Sequence, residues 1–186
     1  KKAQLDAEIQ ELGARISALQ LSQTDRLRTA KASIEKNIIA ILQGDLKRQD
    51  SFENPEHVLF SFGKNTITVD DHTYFSASSR VVLKTAFLVA FLESALQDQK
   101  FRHPRFLMID ITEDKGMEQE RSYNFQRQVI EISAAAVVEH QIILATAMPW
   151  PGINPNLFVG EFSTRQQGTL KFVSRRSRSN EIVVES

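Results

Sequence analysis

The stretch Arg105-Phe106-Leu107-Met108-Ile109-Asp110 contains four consecutive apolar residues, which are followed by the carboxylate of Asp110. Continuous apolar runs of this length are typical of a parallel strand that is buried on both faces. A helical pattern follows over about 121–139, and residues 141–146 form a second apolar run. Strand, helix and strand in this order predict a βαβ unit. The sequence therefore predicts an α/β protein built on a mainly parallel sheet with flanking helices.

A second informative segment lies upstream of this strand. Phe75-Ser76-Ala77-Ser78-Ser79-Arg80 leads into a helix predicted over about 80–97, which is hydrophobic nearly all round and should be buried between layers. Small residues at a helix start expose backbone N–H groups, and the helix dipole adds a positive end that suits a phosphate. The alternative is that one of the serines simply caps the helix. Before it, alternating segments at 58–62 and 66–70 predict a β-hairpin.

The N-terminal segment has the pattern of a coiled coil. Apolar residues recur at spacings of four and three, which makes an a/d seam, at Leu5, Ile9, Leu12, Ile16 and Leu19. The register breaks near 21–24, and a second periodic run ends around Gly44. We expect residues 1–48 to form a coiled-coil arm, the C-terminal strand of an antiparallel pair. The alternative is a helix that packs on its own globular domain.

Composition narrows the classes of function. The 23 Lys and Arg residues balance the 23 Asp and Glu residues, so the total charge gives no reason to expect nucleic acid or an anionic membrane. There is no cysteine, which excludes disulfides and thiolate metal sites, and the four histidines stand far apart. No stretch approaches the roughly 18 uninterrupted apolar residues of a spanning helix. We therefore expect a soluble, cytoplasmic protein with no membrane partner.

In this order, the segments resemble the C-terminal lobe of an SMC-like, ABC-type ATPase head. The run from Phe75 to Arg80, with its apolar helix, resembles the ABC signature motif, and the strand that ends in Asp110 resembles a Walker B strand. The resemblance covers essentially residues 1–173. It looks like the hybrid AAA/ABC ATPases of bacterial DNA repair and phage defence, including Lamassu-type SMC-like subunits. It implies an arm at 1–48, a head lobe at 49–173 and a tail at 174–186.

The resemblance also implies cofactors and site residues. ATP and Mg2+ would be the cofactors, with Asp110 holding the metal. The signature loop would contact ATP that is bound by a second head, and it comprises Ser76, Ala77, Ser78, Ser79 and Arg80. The family's catalytic glutamate directly follows the Walker B aspartate, but Ile111 stands there. Glu113, or next Asp114, could serve as the catalytic residue if the loop kinks. Ala147 falls near the place of the family's sensor histidine.

Two further departures concern nucleotide binding. The 186 residues contain no G-x-x-x-x-G-K-[ST] loop, so the chain should not retain ATP alone. We expect that loop from the N-terminal half of the same head, in a longer polypeptide. Ala77 and Ser78 also replace both glycines of the signature motif, which narrows the freedom of the backbone near a nucleotide. Dimerisation between heads could survive even where hydrolysis is slow or lost.

Three functions remain open at this point. The leading one is an SMC-like ATPase that forms a homodimer through ATP sandwiched between heads and acts on DNA, with further subunits, in repair or anti-phage defence. The second is a metal-dependent nuclease that uses the acidic cluster after the strand, namely Asp110, Glu113, Asp114, Glu118 and Glu120. The third is a coiled-coil dimerisation scaffold without catalysis.

Overall fold

The computed structural model describes residues 1–110 and 115–159. The chain divides into two units, Lys1–Pro151 and Gly152–Ser186. The helices of the first unit are α1 (Lys2–Gln43), α2 (Ala77–Gln97) and α3 (Gln119–Ala135), with a 3-10 turn at Asp50–Phe52. Its strands are β1 (Val58–Ser61), β2 (Thr66–Val69), β3 (Phe106–Asp110) and β4 (Gln141–Ala145). The described part of the second unit contains a 3-10 turn at Pro155–Leu157.

Helix α1 is a continuous helix of 42 residues, about 60 Å long. The change of apolar register near residues 21–24 does not start a new helix capped by Ser22 or Thr24, because α1 runs through it without interruption. The Thr24 hydroxyl instead donates to the carbonyl of Gln20, 2.9 Å away, as it can inside a helix. The helix ends at Gly44, as predicted. Its C-terminal part packs against α2, with these side chains buried: Ile34, Asn37, Ile38, Ile41 and Leu42.

Helix α2 occupies the centre of the core. It contacts α1 and β3, and the predicted burial of this helix is confirmed by its apolar residues Val82, Leu83, Ala86, Val89, Ala90, Leu92, Ala95 and Leu96. Ring contacts between Phe87, Phe60 and Phe62 join it to the β1–β2 hairpin. Across residues 1–110 and 115–159, none of the helices is both long enough and apolar enough to pass through a membrane.

The strands form two separate two-stranded sheets in the described residues. Strands β1 and β2 are antiparallel, with Val58 opposite Val69, so the predicted hairpin is confirmed. Asn65 adopts the left-handed conformation in its turn, with φ 49°, which asparagine tolerates better than most residues. Strands β3 and β4 are parallel, with Phe106 opposite Gln141, and they flank α3 in the predicted βαβ order.

The prediction of an ATPase head lobe with a mainly parallel sheet is wrong for the residues that are described. Among the strands that the structure describes, parallel pairing is limited to β3 and β4. Leu107 and Ile109 are buried, but Phe106 and Met108 are 41% and 59% exposed, so β3 is not buried on both faces. A continuous apolar run does not reveal how many neighbours a strand has. Over residues 1–110 and 115–159, the elements are a long N-terminal helix, two further α-helices, two 3-10 turns and two short sheets.

Candidate functional site

The residues 76–80, here called the serine turn, begin helix α2. The Ser76 hydroxyl caps the helix: its oxygen accepts the Ser79 N–H at 3.2 Å and it donates to Ser79 Oγ at 2.9 Å. This cap explains why α2 begins at Ala77, before the predicted start. Ser76, Ala77 and Arg80 are exposed, whereas Ser79 is fully buried. An exposed helix N-terminus of this kind presents backbone N–H groups and a positive dipole end.

A buried ion pair contacts the serine turn from the protein interior. Arg121 is 1% exposed, and its Nε lies 3.0 Å from both carboxylate oxygens of Asp45. Its two terminal nitrogens donate to Ser78 Oγ and Ser79 Oγ, at 3.2 Å in each case. A planar guanidinium can bond to a carboxylate and to hydroxyls at once, since it carries five N–H donors in a fixed fork. Arg121 therefore joins the end of α1 to the start of α2.

Helix α3 holds the end of α1 through further bonds. Asn124 Nδ2 and Gln128 Nε2 both donate to the carbonyl of Gly44, at 2.6 Å and 3.2 Å. Arg48 forms a two-pronged pair with Glu118, with a shortest N–O distance of 2.8 Å. The hydrogen bond from Arg48 lowers the pKa of the Glu118 carboxyl. These bonds fix the segment after α1 against the first turns of α3.

Asp110, the predicted Mg2+ ligand, is the last residue of β3 and is exposed opposite Ala145. The predicted catalytic residues Glu113 and Asp114 lie outside the described residues. In the part of the chain that is described, no group of three or more His, Asp or Glu residues could hold a metal ion. A single carboxylate still fits Mg2+ whose other ligands are water and phosphate oxygens. The acidic cluster of the nuclease hypothesis is weakened, because Glu118 is engaged by Arg48.

A buried glutamine holds the segment after β4. Gln126 is fully buried, and it donates to the Met148 carbonyl at 2.9 Å and accepts the Trp150 N–H at 2.8 Å. The Thr146 hydroxyl accepts the Met148 N–H at 3.1 Å. These bonds order the backbone on either side of Ala147, which stands near the position where the resemblance would place a sensor histidine. The segment 146–150 is therefore fixed by hydrogen bonds, but it carries alanine where the resemblance predicts a histidine.

Sequence reasoning found the serine turn but missed Asp45, Arg121 and Gln126. The signal that could have found Arg121 lies in α3. Its buried apolar residues Phe125 and Val129 stand four apart, and this stripe, extended back by one turn, reaches Arg121. A polar residue on the buried face of a helix needs a partner, because an unpaired buried charge is costly.

Comparison with known proteins does not assign the chain to a family. No protein-family model matches the chain, and no curated protein matches it either.

Proposed function

We propose that this chain is the C-terminal part of an SMC-like ATPase that dimerises through ATP sandwiched between two heads and acts on DNA. The serine turn contacts ATP held by the phosphate-binding loop of the opposing head. ATP and Mg2+ are the cofactors, and Asp110 contributes one Mg2+ ligand. The partners are a second copy, the N-terminal half of the same head, DNA and further subunits. The setting is cytoplasmic DNA repair or anti-phage defence.

The observation that carries the proposal is the exposed N-terminus of α2. Ser76 and Ala77 are open to solvent at the positive end of the helix dipole, and the exposed Arg80 adds a cation beside them. The neighbouring Ser79 is buried and bonded to Arg121, so the turn has a fixed conformation. Accessible N–H groups in a fixed geometry are what recognition of a phosphate requires.

The exposed seam of α1 supports the arm part of the proposal. Its five apolar residues are between 52% and 67% exposed, namely Leu5, Ile9, Leu12, Ile16 and Leu19. In a coiled coil, an apolar seam with a/d spacing is buried against a second helix. The other end of the same helix leads directly to Asp45, the partner of Arg121. The arm and the serine turn are therefore connected through side chains of the body.

The test separates the capping role of Ser76 from its proposed role at the nucleotide. Aspartate and asparagine both cap helices as well as serine does, so Ser76→Asp and Ser76→Asn should keep α2 intact. Only Ser76→Asp places a negative charge where the γ-phosphate is proposed to lie. In the polypeptide that carries both halves of the head, we expect Ser76→Asp to weaken ATP-dependent dimerisation about tenfold or more, which corresponds to about 1.4 kcal/mol. Dimerisation is measured by sedimentation with ATP and Mg2+.

Ser76→Asn is the matched control and should dimerise much as the wild type does. Equal dimerisation of the Asp and Asn variants would contradict the proposal. A metal-dependent nuclease would instead ignore ATP and lose DNA cleavage with Asp110→Ala. A scaffold without catalysis would dimerise to the same extent with and without nucleotide.

A further inference from the structure

We infer that Arg121 is a positioning residue that sets the conformation of the serine turn from the end of the arm, an inference that rests on the proposed function. A continuous series of bonds carries it. Asp45 accepts from Arg121 at 3.0 Å, Arg121 donates to Ser79 Oγ at 3.2 Å, and Ser79 Oγ accepts from Ser76 Oγ at 2.9 Å. The series begins just beyond α1 and ends on the exposed hydroxyl proposed to meet ATP.

Stability alone does not account for this pair. The side chains of Arg121 and Asp45 are 2% and 5% exposed, so both charges have lost nearly all contact with water. The free-energy cost of removing two charges from water offsets much of their mutual attraction. A buried ion pair can therefore often be replaced by apolar residues without loss of stability. What apolar residues cannot supply is a directed bond to the hydroxyls of Ser78 and Ser79. The specific contribution of Arg121 is therefore the orientation of the serine turn.

A second ion pair provides a natural control. Arg48 and Glu118 also join the segment after α1 to the start of α3, at 2.8 Å. Their side chains are about half exposed, at 45% and 51%, and the guanidinium of Arg48 donates its hydrogen bonds to the Glu118 carboxylate. Loss of this pair removes a link between the same elements without touching the serine turn.

Three variants separate positioning from folding. Asp45→Leu/Arg121→Met removes both buried charges together and avoids a lone buried ion, so it should melt close to the wild type. Arg121→Lys keeps a charge opposite Asp45, but a single ammonium cannot reproduce the fork that reaches the carboxylate and both serines. Arg48→Gln is the control. Each is made in the polypeptide that carries both halves of the head.

Two readouts are compared in variants that melt like the wild type. The first is ATP-dependent dimerisation, and the second is hydrogen exchange at the amide of Ser79, which needs no nucleotide. We expect the double variant and Arg121→Lys to dimerise about tenfold more weakly and to exchange about tenfold faster at Ser79. Arg48→Gln should match the wild type in both.

Wild-type dimerisation in the double variant would overturn the inference, whatever its exchange rate. An Arg48→Gln variant that weakens dimerisation equally would also overturn it, because the effect would then be general to the junction. If dimerisation of the wild type does not depend on ATP, the proposed function fails. Hydrogen exchange at Ser79 then tests by itself whether Arg121 positions the serine turn. Faster exchange in the double variant then still supports positioning of the turn by Arg121, and unchanged exchange overturns it.

Discussion

Glu93 lies on α2, half-buried, and burial raises the pKa of its carboxyl while Lys36 of α1 partly opposes that rise. Its Oε1 accepts a hydrogen bond from Gln97 Nε2 at 3.1 Å. Because the pKa is higher in the folded state, the folded protein binds this proton more tightly than the unfolded chain does. The resulting stability is present at low pH and is lost as pH rises from the unfolded pKa through the folded one.

Glu93→Gln should therefore raise the free energy of unfolding at pH 7 to 8. The glutamine carbonyl can still accept the bond from Gln97, and no charge has to be kept from water. The difference from the wild type should shrink below about pH 4 and disappear at about pH 3, where the carboxyl is protonated in both states. Urea unfolding over a pH series measures this, with Glu8→Gln on the exposed part of α1 as the control. A Glu93→Gln variant that is less stable at neutral pH would contradict the prediction.

At the level of single residues, the sequence predicted the exposed serine turn but not the buried Asp45–Arg121 pair that contacts it. A run of small residues before an apolar helix is a local pattern, so Ser76 could be identified from the sequence. The structure shows Ser76 as the N-cap of α2, which is the alternative role that the sequence left open. Arg121 and Asp45 are 76 residues apart, and their pairing depends on how α1 and α3 approach each other. No local pattern contains that information. Whether the serine turn binds nucleotide stays a prediction.

Among the elements, α1 passes through two different environments along its length. Ile38 is fully buried near its C-terminal end, whereas Ile16 is 55% exposed on the seam. The four-three spacing predicted the helix and its apolar stripe correctly. It could not distinguish packing on the body from an exposed seam, since both environments select the same residues at the same spacing.

The same substitution at these two positions should have very different effects on the isolated chain. Ile38→Ala should lower the free energy of unfolding by about 2–5 kcal/mol, because it leaves a cavity between α1 and the body. Ile16→Ala should change it by no more than about 0.5 kcal/mol, since an exposed side chain loses few contacts. Urea unfolding followed by circular dichroism measures both. A loss at Ile16 equal to that at Ile38 would show that the seam is already packed.

For the whole molecule, the order of elements was predictable and the extent of the sheets was not. Helix α1, the hairpin, α2 and the β3–α3–β4 unit follow from local periodicity and turn chemistry. The number of strands beside β3 depends on segments distant in the chain, so its apolar run predicts a central strand, which is not found among the residues that the structure describes. Phe106, Met108 and Ile143 remain 41%, 59% and 40% exposed on one face of the parallel pair.

The reactivity of one thiol tests most directly whether the serine turn meets ATP. These 186 residues contain no cysteine, so Ser76→Cys adds a thiol whose alkylation can be followed by peptide mass spectrometry. Lys64→Cys in the β1–β2 turn is the control. With ATP and Mg2+, a closed dimer populated to about nine-tenths should slow alkylation at position 76 about tenfold and leave position 64 unchanged. In a Ser76→Cys protein that still dimerises with ATP in sedimentation, equal alkylation at position 76 with and without ATP would contradict the proposed contact.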